Sequence, residues 1–195
     1  MELEKIAVKV FAAGPNDIPL TDFIDVFHGW IQASDGLYHD VADYSHMEAG
    51  PGIVLVANHA NLSIDEAEHR RGLLYSQKAP LSGSNEENIR AVSRMALETC
   101  RRLEQEPSLG GKLKFSDKEL WISINDRLLA PNRDETLAAL KPDLEGALRA
   151  LVGDANFTLE HNHDSRQRFS VTVRVSKHFQ LDKLTAAAGA ETQSC

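Results

Sequence analysis

Five residues within eight positions, His39, Asp40, Asp43, Tyr44 and His46, carry side chains that ligate cations or move protons. Geometry decides which of them can act together. The alternation through Leu37–His46 predicts a strand, which turns His39 and Asp43 to one face and Asp40, Tyr44 and His46 to the other. Asp40 and His46 would then stand about 20 Å apart at ~3.3 Å per residue, too far to share an ion. If His46 faces Ile53 across a tight turn, Asp40 faces His59 on the next strand, with Cβ atoms roughly 5 Å apart. Such a pair makes His59 a general base whose ring Asp40 orients, and Tyr44, His46, Asn58 and Asn61 become the side chains that hold a ligand around it. A structural cross-strand pair is the other reading of the same spacing, and a one-residue slip in register dissolves it.

The run Asn58-His59-Ala60-Asn61, continuing into Ser63, Asp65, Glu66, Glu68 and His69, reads as a polar loop leaving a buried strand, a place where sites collect. Glu66 and His69 have the spacing of half a di-iron motif, but that fold requires a second such motif on long helices, and the chain has neither. His59, Asp65 and His69 are the one set that this loop brings together without breaking a strand. Alternation otherwise separates the ligands by face and by distance, so no metal and no cofactor is expected. His161 and His163 share a face of a later strand with Phe157 and Leu159, while the neighbouring acid Glu160 points the opposite way; partly exposed sheet residues are the expected reading. Cys100 falls in an apolar helical stripe and reads as a small core residue. Neither Gly50-Pro51-Gly52 nor Gly110-Gly111 is followed by the Lys-Ser/Thr of a phosphate loop, and no Gly-x-Ser-x-Gly, Cys-x-x-Cys or dinucleotide fingerprint occurs.

These side chains need elements to position them. Leu3–Phe11 alternates, with Ile6, Val8 and Val10 on one face, and predicts a strand. Leu20, Phe23, Ile24, Phe27, Trp30 and Ile31 recur at helical spacing, with Thr21 or Asp17 to cap the start. Strands at 37–46 and 52–59 follow, then a short one at 73–76. Ile89, Val92, Ala96, Cys100 and Leu103 form the stripe of a helix over 85–106 that Pro107 stops. Strands are predicted at 113–115 and 120–124, parted by a turn at 116–118, then a helix over 134–151 and strands near 156–163 and 168–176. A shift of 117 carries Leu20, Phe23, Phe27 and Ile31 onto Leu137, Leu140, Leu144 and Leu148, which points to two β-α-β-β units over 3–62 and 117–178. The expected class is α+β: a mainly antiparallel sheet with three helices on one face. One domain over 1–184 is expected, its units joined by the helix at 85–106, with a disordered tail over 185–195.

With 42% of its 195 residues hydrophobic and 26% charged, the chain can bury a core and lies far from a disordered composition. A net charge of -8 argues against a nucleic-acid partner, since no clustered basic surface displaces phosphate counterions. The charge is uneven. Residues 1–69 hold two basic and twelve acidic residues and five of the eight histidines, while the remainder carries a net +2. The longest apolar run, Ile53–Ala57, falls far short of the roughly 20 residues of a membrane helix. The first residues show no basic and apolar leader pattern, and the two cysteines imply no disulfide framework, so a cytoplasmic location is expected. Without a catalytic motif, and with short strands whose edges need cover, the expected function is a non-catalytic binding or assembly module. It would act through protein–protein contact or self-association, with residues 37–76 as the contact region. The alternative is a small-molecule-binding protein or an acid–base enzyme around Asp40 and His59.

Overall fold

Eight strands join one antiparallel sheet in the computed structural model, which describes residues 2–14 and 17–179. In chain order they are β1 (Ile6–Ala12), β2 (Tyr38–Tyr44), β3 (Gly52–Ala57), β4 (Ala60–Asp65), β5 (Gly72–Gln77), β6 (Phe115–Ile124), β7 (Phe157–His161) and β8 (Phe169–Val175). Across the sheet the order is β2-β3-β4-β5-β1-β6-β8-β7. The period of two in each strand builds the core face: Val8 and Val10 of β1 register with Tyr75 and Leu73 on one side and with Ile122 and Leu120 on the other, and Val171 and Val173 continue the layer. Three helices cover this face, α1 (Asp22–Ala33) over β2 and β3, α2 (Asn85–Glu104) across β1 and β5, and α3 (Asp134–Val152) against α2. Phe23 and Phe27 of α1 and Leu103 of α2 are fully buried there, each contributing roughly 1.5–3 kcal/mol by leaving water. The α+β class expected from the pattern is the class observed. The opposite face carries the registered row Ala42, Val54, Ser63, Leu74, Lys9, Trp121, Thr172 and Glu160.

Local chemistry sets the helix ends. The Ser84 hydroxyl accepts the Glu87 N–H at 3.3 Å while the Glu87 carboxylate accepts the Ser84 N–H at 2.8 Å, a complete capping box that starts α2. The Ser84 N–H foremost, and the Ser84 hydroxyl at 2.8 Å, both donate to the Glu87 carboxylate and hold it below its ordinary range. Arg101 and Arg102 in the last turn complement the helix dipole, and Pro107 opens the single 3₁₀ turn that follows. Thr21 occupies the cap position of α1 but makes no side-chain capping bond. Pro142 lies inside α3, on its exposed side.

Three departures from the sequence reading have physical causes. Residues 60–65, read as loop, are the inner strand β4: Ala60, Leu62 and Ile64 are buried in the core and alternate with Asn61, Ser63 and Asp65, a period of two overlooked because the whole stretch 58–69 is rich in polar residues. Its link to β3 is only Asn58-His59. β6 runs unbroken through 116–118, and the irregularity falls instead in its pairing with β1, between Val10 and Ala12. The two β-α-β-β units differ in strand order: β6 lies directly against β8, whereas β4 and β5 separate β1 from β3. Helix α1 packs on its own following hairpin while α3 packs on α2, so the expected repeat is not reproduced. The tail expected over 185–195 lies outside the described residues, and no described helix is long and apolar enough to cross a membrane.

Candidate functional site

Register decides the fate of the expected Asp40–His59 pair. Asp43 pairs with Ile53 and Asp40 with Val56, a three-residue shift from the alignment in which His46 would face Ile53. His59 sits past the end of β3 in the turn to β4, about 10 Å along the strand from the partner of Asp40. The pair does not form. The Asp40 carboxylate instead accepts the Val41 N–H at 2.8 Å, and the exposed His59 offers its carbonyl to the N–H groups of Lys78 at 2.8 Å and Ala79 at 3.1 Å. The shift comes from a long β2–β3 turn, residues 45–51, that closes on Gly52 at φ +60; a Cβ there would stand 2.1 Å from the Ile64 carbonyl oxygen, so only glycine fits. A register irregularity at His39 adds a further offset.

The remaining expected residues spread over the two ends of β2–β4 rather than converging. Tyr44 and His46 are exposed at the 45–51 turn, where hydrogen bonds from Ser45, helped by the nearby His46, hold the Asp43 carboxyl below its ordinary range. Asn58 is at the other end, its Oδ1 on the His39 ring and its Nδ2 on the Gly36 carbonyl at 3.0 Å. Asn61 lies on the face away from the helices, opposite Val56 and Ser76, and its Oδ1 is buried without a hydrogen-bond partner among the described residues. His59, Asp65 and His69 do not meet either, because His59 and Asp65 bracket β4, about 20 Å apart.

At the His59 end an apolar groove of about 140 Å³ opens between α2 and strands β2–β5, lined by Leu37, Tyr38, Ala57, Leu62, Tyr75 and Met95, with His59 on its rim. Leu37 is 45% exposed and Met95 44%. Beside the groove, the Arg102 guanidinium stacks 3.7 Å from the Trp30 ring and reaches the Tyr38 hydroxyl at 3.3 Å. Burial, with Tyr38 adding, pushes the Tyr75 phenol up, so it remains a neutral hydrogen-bonding group.

At the opposite end the β4–β5 connection folds over the sheet. Lys9 of β1 forms a buried ion pair with Asp65, and its Nζ also reaches the Ala67 carbonyl at 3.3 Å. Arg70 lies 3.7 Å over the Phe11 ring. Between this connection and the 45–51 turn is a polar cleft of about 560 Å³ that exposes Ser45, Glu48, Glu66, His69, Arg70 and Arg71.

A third cluster joins α3 to β7, and the sequence reading had only half of it. His161 and His163 do share one side, as their spacing requires, with ring centroids 4.7 Å apart. The acid beside them is Asp134, the first residue of α3, whose Oδ1 lies 3.3 Å from His161 Nδ1 and 3.4 Å from His163 Nδ1. Asn132 stands behind His161, accepting from its Nε2 at 2.8 Å. Cys100 is buried in the core, as expected from its stripe. Compared with known protein families, curated proteins and solved structures, the chain matches none of them.

Proposed function

We propose that this protein is a non-catalytic binding module that takes an extended, basic segment of another protein at the groove beside β2. The observation that carries this reading is the pair Leu37 and Met95, large apolar side chains left nearly half exposed on the two sides of an apolar groove. Apolar anchors gathered around a pocket are the pattern of a contact site rather than of an idle surface. The sign of the partner follows from the charge along β2: Asp35, Asp40 and Asp43 are exposed there, against Arg102 beside Tyr38 and Lys78 beside His59 at the groove itself. Among the described residues strand β2 is paired on one side only, which suits an extended partner. A photo-crosslinking amino acid at position 95 tests the reading. The expected product joins this chain to a different polypeptide and is lost on Leu37→Glu. A protein that sediments as a monomer and yields no intermolecular product rejects it.

A small-molecule site is the second reading, and the polar cleft favours it. Ala49, Glu68 and His69, the non-glycine residues with positive φ among those described, all lie on the two loops that wall this cleft, and backbone strain concentrates at ligand clamps. A polar compound that raises the melting temperature of the wild type but not of His69→Ala would support it; equal shifts in both would reject it.

A further inference from the structure

We infer that Asp134, His161 and His163 bind a divalent first-row transition ion, with zinc the ion to test. The inference reverses the expectation that no metal is held, because the missing ligand comes from another element. His161 ends β7 and His163 lies two residues on, so the extended chain turns both rings to one side, and the start of α3 places Asp134 against them. The three ligand atoms lie within 4.8 Å of one another. An ion bound at about 2.0–2.2 Å holds adjacent ligand atoms roughly 3–3.5 Å apart, and the two histidine nitrogens are 3.3 and 3.4 Å from the Asp134 oxygen.

The hydrogen-bond surroundings of His161 point to the same site independently. Asn132 Nδ2 donates to the carbonyls of Asn162 at 2.7 Å and Asp164 at 2.9 Å, so the amide oxygen is the atom that faces His161 Nε2. Nε2 therefore carries a proton, and in the neutral ring Nδ1 presents its lone pair to the cluster. That Nδ1 is buried and has no hydrogen-bond partner among the described residues, in a side chain only 3% exposed. Its nearest charged neighbour is a carboxylate oxygen, so two lone-pair-bearing atoms face one another unless something positive lies between them. A cation does this for both histidines at once. An imidazole N–H anchored by an amide that is itself tied to the backbone is the outer arrangement that orients metal-binding histidines.

Two imidazoles and one carboxylate select a first-row transition ion over magnesium or calcium, which take oxygen ligands. Asp134 and His163 are mostly exposed, so the remaining coordination positions open to water. Because these two side chains lie at the surface, changing them leaves the core intact, which makes them the variants of choice. The full-length protein, stripped with a chelator, is titrated with zinc sulfate by calorimetry and with cobalt(II) by visible absorption. The expected result is one equivalent of zinc and a cobalt spectrum of a nitrogen- and oxygen-bound ion. His163→Ala and Asp134→Asn should each weaken binding at least about tenfold, while His59→Ala and His69→Ala leave it unchanged. Absence of saturable binding, which is the result for a cluster holding only a proton, overturns the site. So does binding that His163→Ala and Asp134→Asn leave unaltered.

Discussion

Lys9 and Asp65 meet on the face of the sheet away from the helices, yet their side chains are only 6% and 8% exposed, because residues 66–71 fold across them. Removing one partner strands the other charge out of water, so Asp65→Asn should cost about 3–5 kcal/mol. The double change Lys9→Met with Asp65→Leu should recover most of that loss, since it removes both charges together. Urea denaturation of the three proteins checks the pair, and equal losses in the single and double variants would contradict it. Cys100 makes a separate prediction. Burial, with the Glu104 charge adding, pushes its thiol well above the ordinary value, so neither thiolate nor access is available in the folded chain. In a Cys195→Ser background, a disulfide reagent should label Cys100 only in step with unfolding; fast labelling in native buffer would refute this. Distance in sequence decides how much of the sites could be read. The shared face of His161 and His163 follows from spacing alone. Asp134 lies 27 residues upstream and reaches them only through the packing of α3, which no local pattern announces. The Asp40–His59 pair failed because register depends on the length of a turn, and that turn is longer than its Gly-Pro-Gly suggested.

At the scale of elements, the best-defined boundary is the start of α2. Ser84→Ala should destabilise the protein by about 1 kcal/mol, and the penalty should depend on pH with a definite sign. The folded Glu87 carboxyl is held below its ordinary value by Ser84, so the box contributes above the ordinary glutamate range. That contribution is lost as pH falls through the lowered folded value. Denaturation of both proteins near neutrality and at about pH 3 or below should therefore show the difference shrinking in acid; a penalty that grows there would be inconsistent with the box. Elements with an uninterrupted period were legible from sequence: β1 from Ile6, Val8 and Val10, and α2 from the stripe Ile89 to Leu103. Strand β4 has the same period in Ala60, Leu62 and Ile64, but its polar residues run on into Glu66, Glu68 and His69 and give the stretch the composition of a loop. Strand order was not legible at all, since the β4–β5 hairpin enters the sheet between β1 and β3 by long-range pairing that leaves no local trace.

Over the whole molecule, charge follows topology. Residues 1–69, with a net charge of −10, supply β1 to β4 and α1, so the β2 end of the sheet is the acidic end, while the chain that builds β5 to β8 is close to neutral. A partner at the groove beside β2 therefore approaches through a negative field, and ionic strength separates the two kinds of partner. The Debye length falls from about 10 Å at 0.1 M salt to about 3 Å at 1 M. A basic segment loses steering and affinity as that field is screened, most of it in the association rate. A second copy of this chain, bringing the same acidic edge, meets repulsion that salt relieves. The crosslink formed from position 95 should thus decrease steadily as salt is raised from about 0.05 to 0.5 M, and Asp40→Asn with Asp43→Asn should flatten that dependence while leaving the Leu37 and Met95 contacts in place. A yield that rises with salt, together with a dimer in sedimentation under the same conditions, assigns the groove to self-association and removes the basic partner from the account.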